Sequence, residues 1–224
     1  MTALIVDLGS LKDAVNEWLW RTGDTQLIAR GDDFVALFEA EFVENPDNRT
    51  FEMEETATVL VTEPTVPLPP DYLEMARLQV LGQNGAPNQD LDFVSVKRAV
   101  VLDNSQPSQV SKCKNYTIYS GDIVLTPQRM APIGSKLEMI YYQFQRLQDA
   151  PNGQNWLIQK YPNIYLYGAL TQASAYVDDK NFVAQWDAAL QRAMKNLQKS
   201  EEKRKKSSGP LQMGASMEFR TTNK

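Results

Sequence analysis

The 224-residue chain contains no histidine. That removes the usual proton-accepting partner of a serine or cysteine nucleophile, and with it the commonest side-chain ligand for transition metals. Cysteine occurs once, at Cys113, so no internal disulfide can form and no zinc site built from cysteine or histidine clusters is available. Long hydrophobic runs are also missing. The longest stretch without a charge, residues 161–177, includes Pro162, Asn163, Gln172 and Ser174 and is a poor membrane span. The opening MTALIVDLGS carries Asp7 and no basic segment, so a secretion signal is not expected and a reducing cytoplasm is. Gly82 and Gly85 lack the neighbours of a phosphate cradle, which leaves nucleotide binding without a motif. No cofactor, no metal and no enzymatic role are expected.

What is present is a globular composition, 42% hydrophobic and 23% charged. Ser10 is placed to cap a first helix with apolar positions Leu11, Ala14, Val15, Trp18 and Leu19, and Gly23 to stop it. A second stripe, Phe34, Leu37, Phe38 and Phe42, follows Gly31-Asp32-Asp33 and closes at Asn45-Pro46. Near residue 56 the period changes to alternation. Strands are expected at Thr56–Val61, Arg77–Leu81, Leu91–Leu102, Tyr116–Tyr119, Ile123–Thr126 and Leu137–Arg146, divided by turns such as Ser120-Gly121-Asp122. Helical spacing returns at Trp156. Residues 164–177 are apolar nearly all round, the mark of a central helix, and Asp178 or Asp179 caps a long amphipathic helix through Trp186, Leu190 and Leu197. The expected fold class is therefore α+β. A discontinuous helical bundle (1–55 and 150–200) carries an inserted antiparallel β module (56–149) and an extended, flexible C-terminal tail (201–224).

Most short motifs have an ordinary reading. Asp32 and Asp33 suit a helix start, Ser111-x-x-Lys114 and Ser200-x-x-Lys203 lack any supporting second motif, and the local run Glu52, Glu54, Glu55 does not bring oxygens together from separate elements as a magnesium site needs. Trp156, Tyr161, Tyr165 and Tyr167 are spaced for packing rather than for stacking on bases. The end of the chain differs in charge. Residues 195–224 hold eight Lys/Arg against three Asp/Glu, net +5, while the first 194 residues hold 15 against 25, net −10. Residues 207–224 read as aperiodic, an expectation of disorder unless a partner holds them.

The order of segments resembles tailed-bacteriophage head-to-tail adaptor proteins. The resemblance rests on Asn48-Arg49-Thr50 running into Glu52-Met53-Glu54, on Leu68-Pro69-Pro70-Asp71-Tyr72-Leu73, on Tyr141-Tyr142, and on Tyr161-Pro162-Asn163-Ile164-Tyr165-Leu166-Tyr167-Gly168-Ala169-Leu170 followed by an Asp-Asp pair and a Trp-bearing helix. It covers roughly residues 10–200. It implies a structural ring, expected to be a dodecamer, at the virion neck. The ring would bind the portal protein, present a face to the next tail or nozzle protein, and let genomic DNA pass without specific binding. The implied portal-binding residues are Lys203, Arg204, Lys205, Lys206, Leu211, Met213, Met217, Phe219 and Arg220. Two other classes stay open at this point: a nucleic-acid-binding accessory protein acting through residues 199–206, and a carboxylate enzyme using Asp32, Asp33 or Glu52 to Glu55.

Overall fold

A computed structural model describes residues 4–82, 86–105 and 112–207. The chain is α+β, with seven described helices and two four-stranded sheets.

The N-terminal helices are short and individually capped. In α1 (Leu8–Trp18) the N-cap is Asp7, not Ser10: the Asp7 carboxylate accepts from the Ser10 N–H at 2.8 Å and the Ser10 hydroxyl oxygen in return accepts from the Asp7 backbone N–H. Ser10 thus fills the third position of a capping box whose first member is the acid. The helix also ends well before Gly23. Trp20 takes a positive φ of 57°, and Asp24 then caps a separate α2 (Thr25–Ala29) through the N–H groups of Gln26 and Leu27. In α3 (Gly31–Glu44), Asp32 and Asp33 lie inside the first turn, where they face the positive helix end without acting as caps; Lys12 and Arg30 pair with them.

The central helix is α6 (Pro162–Tyr176), which follows α5 (Trp156–Lys160) and buries Ile164, Tyr165, Leu166, Ala169, Leu170 and Ala173. It packs against α3 at Gly168, where a Cβ would stand 2.1 Å from the Phe38 ring. The last helix, α7 (Lys180–Ser207), starts after Asp178 at a positive φ of 56°, and Asp179 accepts from the Phe182 N–H. Leu190, Ala193 and Leu197 are its buried stripe, and Trp186 stacks on Tyr167 with ring planes 8° apart. One core cluster therefore draws on residues 11–53 and 147–197.

That core contains a polar network. Glu39 is 1% exposed; its Oε1 accepts from the Leu147 N–H and from the Tyr165 hydroxyl, both at 2.8 Å. Asn155 donates to the Tyr165 oxygen and to the Gln145 carbonyl, while its own side-chain oxygen caps α5. Four parts of the chain are thereby tied together: α3, the stretch after the last strand, the start of α5, and α6. Burial pushes the Glu39 carboxyl above the ordinary range, and its Oε2 is buried with no partner among the described residues.

A second core cluster lies between the sheets, from Val61 to Tyr141. One sheet has the order β1-β8-β3-β4, formed by β1 (Glu54–Leu60), β3 (Tyr72–Val80), β4 (Gln89–Asp90) and β8 (Lys136–Gln143). The other has the order β2-β7-β6-β5, formed by β2 (Thr65–Pro67), β5 (Asp92–Phe93), β6 (Asn115–Tyr119) and β7 (Asp122–Thr126). β6 and β7 are joined by Ser120 and Gly121, at φ 55° and 85°, the two positive angles that a tight hairpin turn needs. Two expectations are corrected here. β5 runs parallel to β6, so the module is not purely antiparallel. Most of Leu91–Leu102 is also not a strand: after β5 the chain forms α4 (Val96–Asp103), capped by Ser95 on the Arg98 N–H, with Ala99 buried against β6 and β7. The valine-rich run mimics a strand, but a cap residue followed by apolar groups at helical spacing decides the local structure.

Candidate assembly interface

α7 does not stop at residue 200. It continues through Ser207, so the basic run 203–206, expected in an extended tail, is helical. The reason lies in the stripe. Counting on from Leu190, Ala193 and Leu197, the next inward position is Glu201, which is 5% exposed. An acid there needs partners, and it has two: Glu201 accepts from the Phe51 backbone N–H at 3.2 Å and from Arg204 at 3.1 Å.

Phe51 belongs to a single helical turn, Phe51–Met53, immediately before β1. The Arg204 guanidinium lies 5.0 Å from the centre of the Phe51 ring and also donates to Glu52 at 2.8 Å. Lys160, in the last turn of α5, reaches the same Glu52 oxygen at 2.6 Å. The Glu52 side chain is 15% exposed and holds two cations. Burial raises its carboxyl, but the hydrogen bonds from Lys160 and Arg204 outweigh burial and bring it below the ordinary range. Two separate parts of the chain, α5 and α7, thus converge on the turn that opens β1.

Of the residues expected at this interface, Arg204 is engaged in the clamp and Lys203 is exposed. The side chains of Lys205 and Lys206, and Leu211, Met213, Met217, Phe219 and Arg220 entirely, lie outside the described residues. Glu201, Phe51 and Lys160 were not anticipated. Glu201 had a signal, its place on the apolar stripe; Phe51 and Lys160 join only through the fold.

The acids once open to catalysis are each accounted for. Asp32 pairs with Lys12 and Asp33 with Arg30; Glu54 accepts from the Tyr142 hydroxyl and Glu55 from the Gln143 amide. Among the described residues no group of three or more acids or cysteines is arranged to hold a metal ion, and no helix is long and apolar enough to cross a membrane. Cys113 is buried, and burial pushes its thiol up, away from the reactive thiolate. Large apolar side chains stand exposed on both cores. Trp20 is 88% exposed on the helical side, and Val96 and Val100, one turn apart on α4, on the other.

Fold and clamp together define an α+β protein in which charged and aromatic groups pin α5 and α7 to the turn before β1. Its family is narrower than that class. The family model described as SU10 adaptor protein matches residues 6–214, and the chain belongs to that family of phage head-to-tail adaptors. A search of curated proteins finds no match.

Proposed function

We propose that this protein acts as a homo-oligomeric ring, a dodecamer, at the phage head–tail junction, joining the portal to the next tail component and continuing the DNA channel. Family membership over residues 6–214 is the observation that carries the reading. The helical core forms the ring body and the β sheets a projecting layer. Residues beyond 207, with Lys203, Lys205 and Lys206 at their root and Leu211, Met213, Met217, Phe219 and Arg220 as contacts, reach the portal as an extended peptide. Arg204 serves as the anchor of that arm through Glu52 and Glu201. The acidic body, net −10 over the first 194 residues, supports a conduit that repels phosphates.

A nucleic-acid reading fits less well, because Arg204 is neutralised by the carboxylates of Glu52 and Glu201 and the remaining charges are few. Electron microscopy of DNA-filled, tailless heads mixed with the purified protein tests the proposal. Expected is a twelve-fold ring beneath the portal vertex; heads that stay bare, with the protein bound to free DNA instead, would overturn it.

A further inference from the structure

One edge of the β1-β8-β3-β4 sheet is long and bare. β1 pairs with β8 on one side, and among the described residues no strand pairs with its other side. Just past β1, the Val61 N–H donates to the Ser135 carbonyl on the β8 side. The register from Glu54 to Leu60 is unbroken, so by the two-residue period the amides of Glu55, Ala57 and Val59 also face β8, and those of Glu54, Thr56, Thr58 and Leu60 face outward. Thr56 and Thr58 are exposed and Leu60 is 54% exposed, while Ala57 and Val59, which pack on the second core, are only half-buried. An edge that is uncharged from Thr56 to Leu60 and rich in β-branched residues is a template for another strand.

The remaining strand edges are short or broken. β4 and β5 have two residues each, β2 has three and ends in Pro67, and β6 runs only three residues, 117–119, past β5. β3 is longer than the two residues that β4 covers, but two register shifts interrupt it and Glu74 and Arg77 charge it. Among the described residues, the edge that matches β1 in length and evenness is β1 of a second copy. Charge sets the direction. A parallel pair would put Glu54 and Glu55 of both copies side by side, where like charges repel. An antiparallel pair centred on Ala57 uses the whole strand and sets Glu54 against Leu60 and Glu55 against Val59, at opposite ends of the ladder. The same centring sets Thr56 against Thr58. Both carry outward amides, so each such pair exchanges two hydrogen bonds, and Ala57 meets Ala57 at the non-bonded position between them.

We infer that two copies of the free chain join through an antiparallel β1–β1 pair with its two-fold axis at Ala57, making one eight-stranded sheet from two four-stranded ones. Thr56 and Thr58 of each copy supply the central hydrogen bonds. Ala57 and Val59 of the two copies cover one another and finish the second core along this edge. Such a contact is isologous and closes on two copies, so it does not propagate around a ring; it is separate from the ring contacts proposed above and holds whether or not a ring forms.

A cysteine at the axis tests it. Non-bonded partners in an antiparallel pair stand about 4.5 Å apart at Cα, within reach of a disulfide, and the native Cys113 is buried. The full-length Ala57→Cys variant, oxidised in solution, is expected to give a covalent dimer as its main product on a non-reducing gel. Adding Thr58→Pro removes an outward donor and leaves the ladder to β8 intact, and it should cut the yield of that dimer about ten-fold or more. Adding Thr56→Lys/Thr58→Lys, which sets like charges opposite one another at exposed positions, should do the same. In the native sequence, hydrogen exchange of residues 54–60 should speed up on dilution. Absence of the covalent dimer, or an equal yield in the proline and lysine backgrounds, overturns the inference. So does protection of β1 that is independent of concentration, which would mean that the edge is covered within one chain.

Discussion

Glu39 shows how one side chain can carry a pH dependence. Its carboxyl is pushed above the ordinary range by burial, so the folded chain holds that proton more tightly than the unfolded chain does. Its contribution to stability is full below the ordinary glutamate value of about 4.3 and is lost as pH rises through the raised folded value. Glu39→Gln keeps an oxygen for the Leu147 N–H and the Tyr165 hydroxyl and removes the ionisation. It is expected to melt at or above the native temperature at pH 8 and to flatten that part of the pH dependence. Glu39→Ala leaves two buried donors unpaired and should cost about 3 kcal/mol in urea unfolding. The same packed region constrains Gly168. A methyl there meets the Phe38 ring, which is 3% exposed and has no room to retreat, so Gly168→Ala should destabilise by about 1 to 3 kcal/mol despite alanine's better helix propensity. A melting temperature equal to the native one would show that α3 and α6 can separate at no cost.

Among the elements, α7 carries the most. Trp186 is half-buried and lies in an aromatic group with Trp18, Tyr167 and Phe182, so Trp186→Ala should cost about 2 kcal/mol, measured as a fall in the unfolding midpoint. At the far end, Glu52→Gln weakens the carboxylate that Lys160 and Arg204 share, and it should speed hydrogen exchange in the last turns of α7 while leaving α6 unaffected. Because Glu52's carboxyl is held below the ordinary range, the same loosening is expected in the native protein as pH falls through that lowered value. Elements with an unbroken stripe or alternation were legible in the sequence: α3, α6, the start of α7, β1, β6, β7 and β8. α4 was not, because valines satisfy both patterns and only Ser95 separates them. The clamp was half legible. Glu201 sits on a stripe that can be counted, but nothing local connects it to Phe51, which is 150 positions away. Glu39 was hidden for the same reason, since its partners Leu147 and Tyr165 meet it only in the folded core.

At the scale of the whole molecule, the body and the arm do different work. Among the described residues the first core closes on side chains from 11 to 197, and Glu201 and Arg204 secure the last turns of α7 to the turn before β1. The melting temperature of the truncated protein should therefore stay within about 4 °C of the native value. Attachment is another matter. A peptide that orders on binding gives up part of its contact energy, yet many copies held in one ring raise the effective concentration of each arm, so weak contacts add to firm binding. Deleting residues 208–224 should then abolish co-sedimentation with DNA-filled, tailless heads while the protein stays folded and soluble. Arg204→Ala should give an intermediate loss, because the arm remains but its root is no longer fixed. If the truncated protein sediments with heads as well as the full-length one does, the arm is not the tether and the helical face of the ring must carry the attachment.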